Sequence, residues 1–344
     1  MIAKALRPML IFCLGLCSGS LVAANHFNVL LYHHVSDTTP PSTTISVKGF
    51  QEHMQYLKDN DFQVLALGDA IGAIQSGEPL PDRSVVITFD DAYRSIHTNA
   101  LPILKAHDFP FTVFVATDPI DQKFPQMMTW DMLRDLQQHQ GTLANHTKDH
   151  AYLVRHQPRD GKWVSETLAN IEHAQQRLET ELGIKHKWLA YPYGEYHTPL
   201  KQALAQAGYL GFGQHSGGIH AGSDFLALPR FPAAGIYSNL NTLKVKLNSR
   251  PMPVTYENLS DPVLTQDAEP PILTVTLTET LPKSIRNQLA CFVLGERLMP
   301  TWKDERTFVI TSNQALPKGR SRYNCTAPAL AGGYYWMSLQ WLVW

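Results

Sequence analysis

Two stretches of this chain carry residue types that could do acid–base or metal chemistry. Asp90 and Asp91 directly follow a run of β-branched and aromatic residues at 85–89, and His146 and His150 lie four residues apart farther along. One carboxylate and two neutral imidazoles make a three-ligand set that leaves a coordination position open for water, as hydrolytic metal sites require. The pattern favours a metal-assisted hydrolytic site.

The two carboxylates of the acid pair are expected to do different work. Adjacent side chains on an extended segment point to opposite sides, so Asp90 and Asp91 cannot act as a symmetric pair unless the chain turns between them. The alternative is a helix N-cap before residues 92–95, since Asp accepts hydrogen bonds from first-turn amides. His146 and His150 share a face only if the chain turns into helix after His146. Otherwise they are polar residues of a strand-to-helix turn.

Strands must deliver these residues, and the sequence places one before each of them. Apolar runs typical of buried strands alternate with helical patterns along about the first 250 residues of the chain. We predict strands at 27–32, 63–67, 85–89, 111–117, 142–145, 188–191 and 209–214. This alternation predicts an α/β fold with a parallel sheet. Asp90, His146, Tyr193 and His215 each follow such a strand, as expected for a site at the C-terminal face of a barrel.

The character of the chain changes after residue 249. Five prolines between 251 and 271 indicate a linker at 251–269, and residues 272–278 alternate with period two, as in a half-buried strand. We predict a small β-sandwich at 270–344, stapled by a Cys291–Cys325 disulfide, with two buried thiols as the alternative. Its tryptophans and tyrosines could stack on sugar rings, or they could fill the core of the module.

The first 24 residues have the features of a secretory signal peptide. Lys4 and Arg7 precede an apolar run that ends in small residues, which predicts cleavage after Ala24 and a periplasmic or secreted protein. An uncleaved anchor is the alternative. Removal of residues 1–24 takes the formal charge from −1 to −3, so electrostatics offer no case for nucleic acid. We expect no membrane span after cleavage, since no other apolar run is long enough.

Three motifs taken together resemble a known family. Residues 88–91 (Thr-Phe-Asp-Asp), 146–150 (His-Thr-Lys-Asp-His) and 190–194 (Ala-Tyr-Pro-Tyr-Gly) resemble successive motifs of the polysaccharide deacetylases, the NodB-homology group or carbohydrate esterase family 4. Residues 31–35 and 111–115 are similar to the branch of periplasmic poly-N-acetylglucosamine deacetylases. The resemblance spans about residues 27–235. It implies a distorted (β/α) barrel of about seven parallel strands, which we place at 25–250.

The resemblance also implies roles for individual residues. Asp91, His146 and His150 would hold one divalent metal ion, with Zn²⁺ as the first choice and Co²⁺, Ni²⁺ or Fe²⁺ as alternatives. Asp90 would be the general base. The backbone amide of Tyr193 would help to hold the oxyanion.

Two departures from the family pattern leave roles to assign. The late Leu-x-His motif that carries the general acid in many members is absent, and we assign the acid to His215. Leu189 occupies the arginine position of the third motif, so Arg230 becomes the candidate that orients Asp90. The residues expected to contact substrate are Tyr191, Pro192, Arg230 and His33.

The predicted activity is removal of N-acetyl groups from an N-acetylglucosamine-containing polysaccharide, with release of acetate. The expected partner is an N-acetylated glycan, and the sequence leaves the oligomeric state open. The same motifs could serve another acyl amide or an acetyl ester, because they report the reaction centre rather than the acyl carrier. A non-catalytic glycan-binding protein is the second alternative. Two neighbouring carboxylates do not suit a glycosidase, whose pair lies on the order of 5–10 Å apart across the sugar.

Overall fold

A computed structural model describes residues 23–155 and 161–344 of the chain. The first part alternates strands and helices. Its strands are β1 (Ala23–Ala24), β2 (His26–Tyr32), β3 (His34–Val35), β4 (Thr44–Ile45), β5 (Gln63–Val64), β6 (Leu80–Pro81), β7 (Ser84–Phe89), β8 (Phe111–Val115), β9 (Gly141–Asn145), β10 (Trp188–Ala190), β11 (Leu210–Phe212), β12 (Gly218–His220) and β13 (Phe231–Pro232). Its helices are α1 (Val47–Asp59), α2 (Leu67–Ser76), α3 (Leu101–His107), α4 (Thr117–Asp121), α5 (Trp130–Gln137), α6 (Gly161–Leu182), α7 (Thr198–Gln206) and α8 (Leu240–Leu247). A π-helical turn, Ile96–Ala100, leads into α3.

The main sheet is parallel over most of its width. Its order is β11-β10-β9-β8-β7-β2-β12, with β5 paired to β7 and β13 paired to β2. Every neighbouring pair is parallel except β12 with β2. The predicted α/β class with a parallel sheet is therefore confirmed.

The sheet curls around its own core. One apolar cluster takes side chains from the same face of successive strands, among them Val29, Val86, Phe114, Ala190 and Phe212, and α2 packs against this cluster. A second cluster lies between the opposite face and the outer helices. Residues 228–233 connect the two ends of the curl. The amide of Gly213 donates to the carbonyl of Leu228, and the amide of Ala233 donates to the carbonyl of Leu31.

Local signals explain where several helices begin. The Ser46 hydroxyl accepts a hydrogen bond from the Gly49 amide at the start of α1, and Thr129 caps α5 in the same way. Helix α7 is capped by an imidazole. Nδ1 of His197 accepts a hydrogen bond from the Leu200 amide, and Thr198 is already helical.

The C-terminal part consists of two further sheets. Its elements are β14 (Ser249–Pro251), β15 (Val254–Glu257), β16 (Val263–Leu264), β17 (Leu273–Leu277), α9 (Lys283–Arg286), β18 (Ala290–Val293), β19 (Glu296–Leu298), β20 (Thr301–Trp302), β21 (Thr307–Ile310), β22 (Gly319–Pro328) and β23 (Tyr334–Val343). One sheet has the order β14-β23-β22-β18-β19, with β16 on β23, and the other has the order β15-β17-β21-β20. Buried side chains of both sheets form one apolar cluster. The predicted disulfide is confirmed, since Cys291 and Cys325 bond across the β18–β22 pair.

Two features of this part were not foreseen. Residues 251–269, expected to be a linker, include β15 and β16, which pair with β17 and β23. Strand β22 is ten residues long and was missed, because Arg, Ser and Asn interrupt its apolar residues. Its burial nevertheless alternates strictly, and this period of two was the available signal.

The predicted signal peptide falls almost wholly outside the described residues. Of its 24 residues only Ala23 and Ala24 are described, and they pair with Leu80 and Pro81. Cleavage after Ala24 stays a prediction. Among the described residues, no helix is long and apolar enough to cross a bilayer.

Candidate metal and catalytic site

The acid pair lies where strand β7 ends and the chain turns sharply. Every residue of β7 is buried, and the strand continues into Asp90, whose amide donates to the carbonyl of Tyr32 at 3.0 Å. Asp91 and Ala92 then both adopt left-handed backbone conformations, with φ of 73° and 63°. Such conformations are unfavourable for residues with a Cβ and often mark functional sites. The turn separates the surroundings of the two carboxylates.

Asp91 meets both histidines of the second motif. The ligand atoms of Asp91, His146 and His150 all lie within 4.8 Å of one another. Each imidazole places Nε2 3.2 Å from the Asp91 Oδ1 atom. The predicted metal-ligand set is therefore brought together in space.

The loop after β9 brings the two histidines together without a helix. We expected that a shared face would require helix after His146, but residues 146–155 form no helix. Thr147 and His150 instead take positive φ values of 71° and 56°. The loop is held by the Asn145 side chain, which accepts from the Thr147 amide at 2.7 Å, and by the Thr147 hydroxyl, which accepts from the His150 amide at 3.1 Å. Hydrogen bonds within the loop, rather than a helix, therefore bring His146 and His150 together.

The donor atoms of this set suit a divalent cation. His146 Nδ1 lies 2.7 Å from the carbonyl of Ala190, to which it donates, and this leaves the lone pair of Nε2 toward Asp91. Nε2 of His146 and Oδ1 of Asp91 are buried without a hydrogen-bond partner. Two unpartnered acceptors 3.2 Å apart repel each other unless a cation lies between them. The residues therefore fit a metal ion.

The electrostatics of the set point the same way. Burial would raise the pKa of Asp91, but the neighbouring imidazole of His146 lowers it well below the usual range. Burial would lower the pKa of His146, but the carboxylates of Asp90 and Asp91 raise it overall. Burial, followed by the charge of His146, lowers the pKa of His150 to about 4. The site favours added positive charge while keeping His150 neutral and able to ligate.

Asp90 is held in a buried ion pair. Arg230 donates from its two terminal nitrogens to the two carboxylate oxygens of Asp90, at 2.7 and 2.8 Å, and neither side chain is exposed. A further hydrogen bond from Arg230 Nε to the Gly213 carbonyl fixes the guanidinium. Burial would raise the pKa of Asp90, but the Arg230 charge lowers it overall. Asp90 therefore stays ionised in a fixed orientation.

The Tyr193 side chain lies beside His150 of the metal-ligand set. The backbone of Tyr193 is left-handed, with φ of 58°. Its ring lies edge-on to His150, with ring centres 4.7 Å apart, and it stacks on Tyr152 at 4.0 Å. Tyr152 is 37% exposed, so this aromatic pair faces solvent beside the metal-ligand set.

The C-terminal sheets hold the loop that carries Tyr193. Arg320 donates to the Tyr193 carbonyl, and Gln340 Nε2 donates to the Gly194 carbonyl at 2.8 Å. The next residue, Glu195, is fully buried, and its two carboxylate oxygens accept three hydrogen bonds from Nε and Nη2 of Arg155. The Arg155 guanidinium in turn lies 3.7 Å from the ring centre of Trp344. Residues of β22 and β23 thus fix one of the three site loops.

Of the histidines that follow β2, His33 approaches the acid pair. It is half-buried, and its charge contributes to the lowered pKa of both Asp90 and Asp91. His34 is buried and stacks on Tyr93, with ring centres 3.6 Å apart. Burial and then Asp91 raise the pKa of Tyr93, which places that hydroxyl beside the ligand set.

His215, predicted to be the general acid, lies elsewhere. It lines a cavity together with Tyr196, Lys201 and Asp224, and no member of the Asp91–His146–His150 set lines that cavity. Burial lowers its pKa to about 3, so near neutral pH it has no proton to give. The structure therefore places His215 away from the metal-ligand set, and its assignment as the general acid stays a prediction. A strand end predicts the edge of the sheet at which a residue lies, but not the direction of its side chain.

Three predicted substrate contacts also need correction. Tyr191 and Arg230 are fully buried, and Pro192 is buried as well, so none of them is available to a glycan. Tyr191 donates to the Leu226 carbonyl at 2.8 Å, which is a structural role. Arg230 serves Asp90. Tyr93, Tyr152, Arg155 and Arg320 are site residues that sequence reasoning missed, since no motif marks them.

The fold and the site together define an α/β protein with an Asp-His-His cation site and a buried aspartate–arginine pair at the carboxyl ends of its parallel strands. Residues 77–212, which make up less than half of the chain, match the family model described as polysaccharide deacetylase. The resemblance carried by the three motifs is thereby confirmed.

Relatives with assigned names support the same family. The chain is 23% identical over 245 residues to a poly-β-1,6-N-acetyl-D-glucosamine N-deacetylase of Escherichia coli (strain K12), covering 60% of this chain and 36% of that protein. It is 25% identical over 214 residues to the protein of the same name from Staphylococcus aureus (strain MRSA252), covering 60% of this chain and 73% of the other. The chain spans 61% of a further relative, YxkH of Bacillus subtilis (strain 168).

The solved structure of IcaB from Ammonifex degensii shares the fold. The match has a TM-score of 0.59 at 22% identity and covers 65% of this chain and 98% of that one.

Proposed function

We propose that this protein is a metal-dependent hydrolase that removes N-acetyl groups from an N-acetylglucosamine-containing polysaccharide. The observation that carries the proposal is the Asp91–His146–His150 set beside the buried Asp90–Arg230 pair, in a chain that matches the polysaccharide deacetylase model. The family relatives named above act on poly-β-1,6-N-acetyl-D-glucosamine, and this polymer is the substrate that we propose first.

Asp91, His146 and His150 would hold one divalent ion, for which Zn²⁺ is our first choice because the set combines two imidazoles with one carboxylate. When bound, such an ion polarises the acetamide carbonyl and lowers the pKa of water. The hydrogen bond from His146 Nδ1 to the Ala190 carbonyl would fix the tautomer that presents Nε2 to the ion.

Asp90 would act as the general base. Its carboxylate accepts the proton that water loses as the water oxygen adds to the carbonyl carbon. Arg230 keeps Asp90 ionised and fixes the direction of its oxygens through two hydrogen bonds. Arg230 would thus orient Asp90, a role that the apolar Leu189 at the arginine position of the third motif cannot fill.

The oxyanion and the leaving amine need one partner each. The backbone amide of Tyr193 is our proposed donor to the oxyanion, because its loop lies against His150. We propose that His33 gives the proton to the nitrogen as the C–N bond breaks, because it is half-buried beside both carboxylates. The products are acetate and a free amine on the sugar.

We further propose how the chain is organised around this chemistry. Residues 25–250 would form a distorted barrel, and residues 270–344 would form a β-sandwich. Residues 251–269, first expected to be a linker, join this sandwich through β15 and β16. The hydrogen bonds of residues 228–233 to both ends of the curled sheet support the barrel. The apolar cluster shared by the two C-terminal sheets supports the sandwich. Residues 1–24 would direct the protein to the periplasm or the exterior.

The test is acetate release from N-acetylglucosamine oligomers of β-1,6 and β-1,4 linkage by the purified protein. We expect release that a chelator abolishes, that Zn²⁺ restores, and that Asp90→Asn lowers by about 10²- to 10⁴-fold. The matched control is Asp59→Asn, on an exposed position of α1, which should leave the rate unchanged.

The outcomes separate the alternatives. Chelator-sensitive release from one linkage identifies the polymer. A protein that binds one metal ion per chain and binds the oligomers without releasing acetate would be a glycan-binding protein, and the proposal would be wrong. Release of acetate only from small acetyl esters would move the activity to another acyl substrate.

A further inference from the structure

The backbone amide proposed to hold the oxyanion belongs to a strained loop. Tyr193 carries a side chain and yet has a left-handed backbone, with φ of 58°. The amides of Gly194 and Glu195 donate to backbone carbonyls, whereas no backbone acceptor is found among the described residues for the amide of Tyr193. A strained conformation persists only where its surroundings over-determine it. The Tyr193 loop therefore needs support from other parts of the chain.

Glu195, two residues after Tyr193, carries a fully buried carboxylate. Nε of Arg155 lies 3.1 and 2.8 Å from the two oxygens and donates to both, and Nη2 of Arg155 donates to Oε1 as well. Nε of Arg320 lies 3.8 Å from the same Oε1 atom. Burial of a carboxylate is costly unless cations pair with it. Here one carboxylate serves two arginines.

Each of these arginines also reaches Tyr193, by a different route. Arg320 donates to the Tyr193 carbonyl. The guanidinium carbon of Arg155 lies 3.9 Å from the ring centre of Tyr152 and 5.5 Å from that of Tyr193. The two tyrosine rings stack on each other, with centres 4.0 Å apart. Glu195 is thus connected to the backbone of Tyr193 through one arginine and to its ring through the other.

The charge of Glu195 keeps both arginines in place. The side chains of Arg155 and Arg320 are only 17% and 29% exposed, so water screens their charges poorly. Without the shared carboxylate, the two guanidinium groups would repel each other and would lower this repulsion by moving apart. Either movement would release a contact that holds Tyr193.

We infer that Glu195 is a positioning residue, which fixes the backbone amide of Tyr193 in the site through Arg155 and Arg320. The part of this inference that concerns catalysis rests on the proposed deacetylation, in which the amide receives the oxyanion. The support of the loop by Glu195 does not depend on the reaction.

The experiment compares the native protein with Glu195→Gln, which keeps the size of the side chain and removes its charge. The matched control is Glu181→Gln on α6. Glu181 also pairs with two arginines, Arg134 and Arg177, at 2.7 and 3.1 Å. The other carboxylate partners of these arginines lie on α4 and α5.

We expect Glu195→Gln to lower kcat on N-acetylglucosamine oligomers by about 10-fold to 100-fold, with little change in KM or in bound metal. Glu181→Gln should match the native protein. Glu195→Asp, which keeps the charge on a shorter side chain, should recover part of the rate. A folded Glu195→Gln protein with the native kcat would overturn the inference.

A double variant tests whether Glu195 acts through Arg320. Because both residues hold the same loop, Glu195→Gln combined with Arg320→Ala should be little slower than the slower of the two single variants. Losses of kcat that multiply in the double variant would show that the residues act independently, and would contradict the inference.

Crystal structures of the native protein and of Glu195→Gln give a result that needs no catalysis. We expect the amide nitrogen of Tyr193 to move by about 1 Å, a displacement large enough to slow a reaction by about 100-fold. An unmoved loop in the variant would overturn the inference. A moved loop, together with a native protein that releases no acetate, would count against the deacetylase and not against the support of Tyr193 by Glu195.

Arg155→Gln covers the case in which Glu195→Gln fails to fold, because it leaves Glu195 paired with Arg320. We expect the stacking of Tyr152 on Tyr193 to be disturbed and kcat to fall by about tenfold. A folded Arg155→Gln protein with native ring stacking and native kcat would also overturn the inference.

Discussion

The buried pair of Asp90 and Arg230 shows how one residue sets the chemistry of another. Neither side chain is exposed, and two hydrogen bonds of 2.7 and 2.8 Å join them. A buried carboxylate without a partner is strongly disfavoured in its charged form. Arg230 therefore keeps Asp90 in its charged form, as its proposed role of general base requires.

Arg230→Gln should destabilise the protein and alter its pH profile. Breaking a buried ion pair costs about 3–5 kcal/mol, because one charge remains uncompensated. In the native protein the pKa of Asp90 is lowered, so its stabilisation is present above the unfolded pKa of about 3.9 and is lost as pH falls through the folded pKa. In the variant, burial raises this pKa, so the acidic limb of kcat/KM should move to higher pH.

Urea unfolding at pH 7 and the pH dependence of kcat/KM would measure the two effects. Arg230→Lys is the control, because it keeps a charge but loses the two-point contact with Asp90. It should fall between the native protein and Arg230→Gln. An unfolding midpoint and an acidic limb that are unchanged in Arg230→Gln would contradict this account.

The general acid can be assigned by comparing His33 with His215. We expect His33→Gln to lower kcat on N-acetylglucosamine oligomers by about 10²- to 10⁴-fold, because the amine must be protonated as it leaves. The same variant should retain most of its activity on an aryl acetate, whose leaving group needs no proton. His215→Gln should keep its activity on both substrates. The opposite pattern would return the role to His215.

At the scale of elements, the site is built from three strand-end loops that all contain left-handed residues. Asp91, Thr147, His150 and Tyr193 have φ between 56° and 73°. Hydrogen bonds inside the second loop hold its shape. The third loop depends on Arg320 and Gln340 from the C-terminal sheets. The two parts of the chain are therefore linked at the site.

Arg320→Ala should lower kcat by about 10-fold to 100-fold, with little change in KM or in bound metal. Loss of its hydrogen bond frees the Tyr193 carbonyl, and a small displacement of a positioned group is enough to slow a reaction by about 100-fold. Addition of guanidinium ion should restore part of the rate, a rescue that general destabilisation would not show. Arg306→Ala, which changes an arginine bound elsewhere in the same sheets, is the control. Equal loss in both variants would contradict a positioning role.

Much of this arrangement of elements could be predicted from the sequence. The predicted strand at 85–89 agrees with β7, because its apolar run is unbroken and has a clear boundary. The conformations of the site loops could not be predicted. Hydrogen bonds specific to residues 145–150, rather than a helical period, bring His146 and His150 together.

At the scale of the whole molecule, several buried histidines link stability to pH. Burial is the main cause that lowers the pKa of His26 and His53 to about 4 and that of His215 to about 3. Unfolding exposes these groups and returns them to a pKa of about 6.5. The unfolded state therefore binds more protons than the folded state between these values.

The metal-depleted protein should lose stability as pH falls from about 6.5 towards 4. Each histidine contributes at most about 1.4 kcal/mol per pH unit in this window. Urea unfolding at pH 7, 6, 5 and 4 would measure the slope, and His53→Gln should reduce it. His53 lies 2.9 Å from the Tyr32 hydroxyl and 2.8 Å from the Ser238 carbonyl. A slope that is the same with and without His53 would contradict its part in this linkage.

The sequence by itself determined which strands form and which chemical groups their ends present. Apolar runs, caps and turn residues act over a few positions, so the placement of Asp90, Asp91, His146 and His150 after strands could be predicted locally. The family followed from the same motifs.

Only the tertiary structure decided which distant groups meet. Arg230 lies 140 residues from Asp90, and Arg320 lies 127 residues from Tyr193. No local pattern records such pairs, because they form only when the curled sheet and the C-terminal sheets pack. Because of the same packing, His215 lines a cavity away from the metal ligands, whereas His33 lies near the acid pair.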